Sequence, residues 1–226
     1  MTVRRINTAT RALLDRVINA EEVDRRRSQL RDPHVVELTD YVERVRVAHG
    51  DDATVPWFDP AGGGVHARVL LLMQDPSEVA AKGSGFISPD NNDQTARNTT
   101  IAVDAAELTS ELRVHWNIYP WWVNHRGQDP TRPRESFAEA MHAAVPLIDE
   151  LIIDLLVEIR VVVLFGNHAQ AGWDRYVKDR RHSPIVEVLR CPHPSPLAWN
   201  KSAPDGRRNS DLIIETLRAA RELAVR

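Results

Sequence analysis

The sequence contains almost no cysteine and very little lysine. Cys191 is the only cysteine in 226 residues, which excludes an internal disulfide, an all-cysteine zinc site and an iron–sulfur cluster held by several thiolates. Only Lys82, Lys178 and Lys201 among the 29 basic residues are lysines. The net charge of −3 excludes a polybasic protein, so any affinity for a polyanion must come from local patches.

Long apolar runs and familiar ligand-binding motifs are also absent. No run reaches the roughly 18 apolar residues of a membrane helix, and the densest stretch, residues 147–165, contains five charged side chains. The histidines lack the spacing of a zinc site, and Gly62 to Gly64 precede a strand, which is the wrong order for a dinucleotide fingerprint. The first twenty residues lack the apolar core of a secretory signal. We therefore expect a cytoplasmic protein without a metal or organic cofactor.

The hydrophobic pattern predicts alternating strands and helices. Strands are expected at residues 69–73, 112–119, 160–165 and 185–189. Helices are expected at residues 8–49, 135–158, 169–178 and 210–224. The first of these helical segments should break at Pro33, and the second should break or kink at Pro146. Residues 75–100 lose this periodicity and are expected to form a working loop that lines a pocket.

Buried strands that alternate with helices are typical of a parallel sheet covered on both faces. We expect an α/β fold, a three-layer α/β/α sandwich with a central, mostly parallel four-stranded sheet. One domain is expected over residues 1–226, with residues 1–50 as a helical extension packed on it. In such sheets the site lies at the carboxyl ends of the strands, and polar motifs follow the predicted strands there.

Two of these strand-end motifs carry a resemblance to a known family. The sequence resembles the uracil-DNA glycosylase superfamily at two motifs, Gln74-Asp75-Pro76 and His193-Pro194-Ser195-Pro196-Leu197. Three further segments support the resemblance: Phe86-Ile87-Ser88, Trp116-Asn117 and residues 164–170. That family's motifs read Gly-Gln-Asp-Pro-Tyr-His and His-Pro-Ser-Pro-Leu. The resemblance spans residues 69 to about 199. It implies a monomeric DNA repair enzyme that flips uracil or a related modified pyrimidine out of DNA and hydrolyses its N-glycosidic bond.

The resemblance implies catalytic roles for Asp75 and His193. Breaking the bond between a base and deoxyribose builds positive charge on the sugar and negative charge on the base, so a carboxylate and a hydrogen-bond donor are both needed. Asp75 would orient a water and stabilise the sugar cation, and His193 would donate to the base oxygen. On residue type alone, Asp75 could instead cap the next turn, and a lone histidine is usually structural.

Base recognition is expected from an amide and an aromatic ring. The resemblance implies that Asn117 reads the base, that Phe86 stacks on it, and that Gln74 lies over the pocket. Core packing is the alternative for Phe86. The three tryptophans near Asn117 are read as core or pocket wall before stacking platform.

Contacts to the DNA itself follow from the same resemblance. Leu197 would enter the stack and hold the gap that the flipped nucleotide leaves. The phosphates would be contacted by Ser88, Ser195, Lys201, Arg207 and Arg208. Solvated surface charge explains the last three nearly as well.

The sequence departs from the family pattern beside Asp75. Ser77 stands where the family has the tyrosine that blocks a thymine methyl, and Glu78 stands where it has a histidine. Ser77 and Glu78 are therefore the expected specificity wall. Three outcomes are open: the smaller residue admits thymine or a damaged pyrimidine, Glu78 supplies a second carboxylate, or another side chain fills the space. Residues 88–99 have no counterpart in the family motif. Two alternatives stay open: a catalytically silent nucleic-acid-binding protein on this scaffold, and a small-molecule hydrolase with an Asp75–His193 dyad.

Overall fold

The computed structural model describes residues 18–50, 54–123, 136–180 and 186–226. Its strands are β1 (Trp57–Phe58), β2 (Val69–Met73), β3 (Phe86–Ile87), β4 (Arg113–Asn117), β5 (Val161–Phe165) and β6 (Glu187–Cys191). Four of them form a central sheet in the order β4, β2, β5, β6, and every neighbouring pair in it is parallel. The short strands β1 and β3 form a separate parallel pair.

Helices cover this sheet. They are α1 (Ala20–Ser28), α2 (Val36–His49), α3 (Gln94–Ala105), α4 (Phe137–Asp149), α5 (Gly166–Asp179), α6 (Pro196–Trp199) and α7 (Asn209–Ala224). Short 3-10 turns lie at Gly64–His66 and Ser110–Leu112, and π-helical turns at Val79–Ser84 and Glu150–Leu155. Local capping explains where helices begin: a capping box joins Ser136 and Glu139 at the start of α4. Among the described residues, no helix is long and apolar enough to cross a bilayer.

Alternating side chains of the strands build two cores. Leu70 and Leu72 of β2 belong to the core that includes Tyr41 of α2 and Trp173 of α5. Val69 and Leu71 point to the opposite core, with residues of α3 and α7. Because successive strand side chains face opposite sides of a sheet, one run of apolar residues serves both cores. The expected three-layer α/β/α sandwich with a parallel four-stranded sheet is confirmed.

The predicted elements agree with the structure to different degrees. The strand at residues 69–73 has the predicted bounds, whereas β4 is shorter than predicted and β6 begins two residues later. The expected break at Pro146 is not found, since α4 runs through it and changes to π-helical geometry only at Glu150. Residues 8–17, 135 and 185 lie outside the described residues.

The expectation that residues 75–100 form a loop without regular structure is wrong, although many of them line a pocket as expected. That segment holds a π-helical turn, β3 and the first half of α3. Helix α3 begins where the Asp93 carboxylate accepts a hydrogen bond from the Ala96 N–H, at 2.9 Å. Its buried side includes Asn98, Thr99 and Thr100, so the apolar periodicity that reveals most amphipathic helices is missing here.

Candidate active site

A cavity of about 370 Å³ opens at the carboxyl end of β2. The chain passes from β2 to β4 on one side and later to β5 on the other, which makes this end the switch point where parallel sheets bind ligands. The cavity is lined in part by Gln74, Asp75, Ser77, Asn117, Trp122 and His193. Five of these six were predicted as site residues from the sequence, and Trp122 was read as core or pocket wall.

Asp75 follows β2 directly and lies in the cavity wall. Burial raises the pKa of its carboxyl group from 3.8 to about 6, although the Val123 backbone N–H donates to it and acts in the opposite direction. The pKa of the Tyr119 hydroxyl is raised by burial and by the nearby Asp75 charge. A carboxylate with a pKa near neutrality can orient a water and accept its proton at physiological pH.

His193 follows β6 and reaches the same cavity. Burial, with a smaller contribution from His168, lowers the pKa of its imidazole, so the ring is neutral at pH 7. The Ser195 backbone N–H donates to His193 Nδ1 at 3.1 Å. Since Nδ1 accepts this bond, the proton of the neutral ring lies on Nε2, and His193 can act as a hydrogen-bond donor.

Gly166, at the junction of β5 and α5, makes room for His193. Its φ of +79° is in the left-handed region, and a Cβ added to it would lie 2.7 Å from the His193 Cβ. Glycine is therefore required at this position both for the backbone conformation and for the close approach of the His193 loop.

Asn117 is the last residue of β4 and is 3% exposed, yet it lines the cavity. It lies opposite Met73 in the parallel register of β2 and β4, which brings it beside Gln74 and Asp75. Gln74 also lines the cavity, and its carbonyl oxygen accepts from the Tyr119 N–H at 2.8 Å. Two residues with side-chain amides thus line the cavity, and an amide offers both a donor and an acceptor.

The placement of Phe86 does not fit the expected stacking role. Its side chain is fully buried and is not part of the cavity lining, whereas its neighbour Ile87 lines the cavity. Phe86 packs in the small β1–β3 sheet, and its carbonyl oxygen accepts from the Asn91 amide at 3.0 Å. The cavity lining includes two tryptophans, Trp116 and Trp122. Trp116 is 1% exposed and stacks on Phe58, whereas Trp122 is 8% exposed and has the Lys82 ammonium 5.0 Å from its ring centroid.

The two residues of the expected specificity wall differ in position. Ser77 lines the cavity, and its hydroxyl oxygen accepts from the Ala80 N–H at 3.2 Å. Glu78 is exposed, outside the cavity lining, and lies 3.5 Å from the Lys82 ammonium. Of the two, only Ser77 is therefore placed to contact a molecule in the cavity.

Two of the expected phosphate contacts are engaged by other protein groups. Ser88 lines the cavity, but its hydroxyl accepts from the buried Arg26 guanidinium at 3.1 Å and donates to Asp59, so it belongs to an internal network. Arg207 is exposed but forms ion pairs with Asp205 at 2.7 Å and Glu215 at 2.6 Å.

Three of the four remaining DNA-contact candidates are exposed. Leu197, in the short helix α6, is 80% exposed. Lys201 and Arg208 are exposed as well. Ser195 precedes α6 and is half-buried, with its N–H bound to His193.

Sequence reasoning missed the network that supports the cavity wall. Arg26 of α1 is 4% exposed and pairs with Asp59, with Asp90 at 2.7 Å and with Glu22 at 2.7 Å. Its only sequence signal was the Arg25-Arg26-Arg27 run, which resembles a surface patch. Within the described part of the chain, no group of three His, Cys, Asp or Glu side chains is placed to hold a metal ion.

The sequence was compared with families of known proteins. The family model described as the Uracil DNA glycosylase superfamily matches residues 60–221, which include every residue that lines the cavity. No curated protein matches the sequence significantly.

Proposed function

Because the chain belongs to the uracil-DNA glycosylase superfamily, we propose that it is a DNA repair glycosylase that hydrolyses the N-glycosidic bond of uracil or a related modified pyrimidine in DNA. The observation that carries the proposal is the presence of Asp75, Asn117 and His193 in the lining of one cavity. These three side chains come from three different strand ends, and they supply a base, a reader of the pyrimidine edge and a donor to the leaving group.

The reaction breaks one bond and forms another at the anomeric carbon. The electron pair of the C1′–N bond leaves with the base, and the oxygen of a water forms the new bond to C1′. Asp75 orients this water, stabilises the sugar cation and accepts the water's proton. His193 donates from Nε2 to the base oxygen on which negative charge develops, since its Nδ1 is held by the Ser195 N–H.

Recognition of the base follows from the pocket lining. The Asn117 amide offers a donor and an acceptor to the Watson–Crick edge of a flipped pyrimidine. Trp122, the less buried of the two tryptophans in the lining, takes the aromatic role that the buried Phe86 cannot fill. Ser77 leaves space where the family has a tyrosine, so admission of a methyl group at C5 depends on whether another side chain fills that space.

Contact with the duplex involves the loop that carries His193. Leu197 fills the space left by the flipped nucleotide, and Ser195, Lys201 and Arg208 contact the flanking phosphates. Because the net charge of the chain is −3, we expect modest affinity that decreases with salt.

The test is excision from labelled oligonucleotides that carry uracil in a single strand, opposite guanine or opposite adenine, with a thymine–guanine mismatch alongside. Alkali converts each abasic site into a strand break. Wild-type protein should cleave at uracil, and His193→Ala should lose orders of magnitude in rate. The matched control is His66→Ala, because His66 is an exposed histidine outside the cavity.

The outcomes separate the proposal from its alternatives. Cleavage at thymine as well as uracil means that the Ser77 opening admits the methyl group. Binding to uracil-containing DNA without base release in any lane contradicts the glycosylase and favours a silent nucleic-acid-binding protein. Equal activity of His193→Ala and wild type would remove His193 from the mechanism.

A further inference from the structure

Asn98 lies on α3 and is 3% exposed, yet it contacts the loop that carries His193. Its Nδ2 donates to the Pro194 carbonyl oxygen at 2.7 Å. A carbonyl oxygen can only accept, so the amide nitrogen must face it. The other end of the same amide agrees with this orientation, because Oδ1 accepts from Gln94 Nε2 at 2.9 Å.

The peptide group that Asn98 binds is the one that fixes the imidazole. The Pro194 carbonyl and the Ser195 N–H belong to a single planar peptide unit. Its oxygen accepts from Asn98, and its N–H donates to His193 Nδ1 at 3.1 Å. If this plane rotated, Nδ1 would lose its donor, and the ring proton would no longer be confined to Nε2.

We propose that Asn98 is a positioning residue for His193, which acts through the Pro194–Ser195 peptide to keep the imidazole proton on Nε2. Hydrogen bonds then run from Gln94 to Asn98, to the peptide unit and to His193, and such chains reinforce one another when they are buried. The segment of residues 88–99, which has no counterpart in the family motif, thereby acquires a role in catalysis as well as in the cavity wall.

The direct test is ¹⁵N NMR of the His193 ring in the full chain at pH 8, in wild type, Asn98→Ala and Asn98→Asp. Wild type should show the Nε2–H tautomer, and Asn98→Ala should show a mixture of tautomers. Thr39→Val is the matched control, because Thr39 is 2% exposed and donates to the Leu30 carbonyl at 2.7 Å, far from the cavity. An unchanged tautomer in a folded Asn98→Ala protein overturns the proposal.

Asn98→Asp keeps the shape of the side chain but removes the donor. As a carboxylate it cannot donate to the Pro194 oxygen. The Nε2–H tautomer should therefore be lost at pH 8, as in Asn98→Ala. A folded Asn98→Asp protein that keeps this tautomer at pH 8 contradicts the proposal, including the case in which Asn98→Ala does not fold.

A kinetic experiment rests on the proposed glycosylase function and measures single-turnover excision of uracil. Asn98→Ala should lower the rate about 10- to 100-fold, the cost of a misplaced catalytic group, with little change in DNA affinity. In a His193→Ala background the same substitution should cost less than about threefold, since neighbouring residues that act as a unit are not additive. Equal losses of rate in the two backgrounds overturn the proposal. An inactive wild-type protein refutes only the glycosylase function, because the NMR test does not need activity.

Discussion

Replacing Asp75 by asparagine should make the folded protein more stable at pH 8 while it removes the proposed activity. The fold holds the Asp75 carboxyl group in the cavity wall, where burial is the largest effect on its pKa and raises it from 3.8 to about 6. Asparagine has the same shape and can still accept from the Val123 N–H, but it carries no charge to bury. Active sites commonly contain such a conflict between stability and function.

The size and sign of the effect follow from the pKa difference. A rise from 3.8 to about 6 corresponds to about 3 kcal/mol, and partial contact with solvent reduces the expected value to about 1–3 kcal/mol. The native state holds the Asp75 proton more tightly than the unfolded chain, so this group lowers the free energy of unfolding as the pH rises from about 4 to about 6. The advantage of Asp75→Asn should therefore be complete above about pH 7 and vanish below about pH 4.

Urea unfolding across this pH range measures the difference. The control is Asp154→Asn, which removes an exposed carboxylate and should leave the wild-type pH dependence unchanged. If Asp75→Asn is no more stable than wild type at pH 8, or if its advantage persists at pH 4, then burial of the Asp75 charge is not the cause of its raised pKa.

Three further substitutions test other parts of the site. Gly166→Ala should lower the free energy of unfolding by about 1–3 kcal/mol, because alanine is strained in the left-handed backbone conformation. It should also slow excision about 10- to 100-fold by displacing His193. A variant with the melting temperature and activity of wild type would contradict this. Leu197→Ala should leave the melting temperature unchanged and slow excision from duplex more than from single-stranded DNA, so equal slowing on both substrates would argue against a wedge. Arg26→Met leaves Asp59 buried without its cation and should cost about 3–5 kcal/mol in denaturant unfolding, whereas a loss under about 1 kcal/mol would mean that the pair behaves as a surface contact.

The sequence was most informative where a strand ends in a polar motif. The bounds of β2 followed from five consecutive apolar residues, and parallel strands explain why Asp75, Asn117 and His193 meet at one cavity. These features depend on local pattern and on the geometry of parallel sheets, both of which are visible in one sequence.

Other features depended on tertiary contacts that no local pattern reveals. Phe86 follows a glycine as a pocket aromatic could, but it packs in the β1–β3 sheet instead. Ser88 fits a phosphate ligand by residue type, but its hydroxyl group binds the guanidinium of Arg26, which lies 62 residues earlier in the chain. Helix α3 was missed because its buried face carries threonine and asparagine, and Asn98 has meaning only once the Pro194 carbonyl is beside it.

The packing of Trp116 has a consequence for how the family region can be isolated. Its ring stacks on Phe58 at a centroid distance of 3.7 Å and meets Tyr41 of α2 edge-on at 6.1 Å. Both partners precede residue 60, where the family match begins. A fragment cut at that boundary would expose the ring of Trp116 to water, and such a fragment should aggregate or lose the order of β4, which ends at Asn117. The shortest useful expression fragment therefore includes α2.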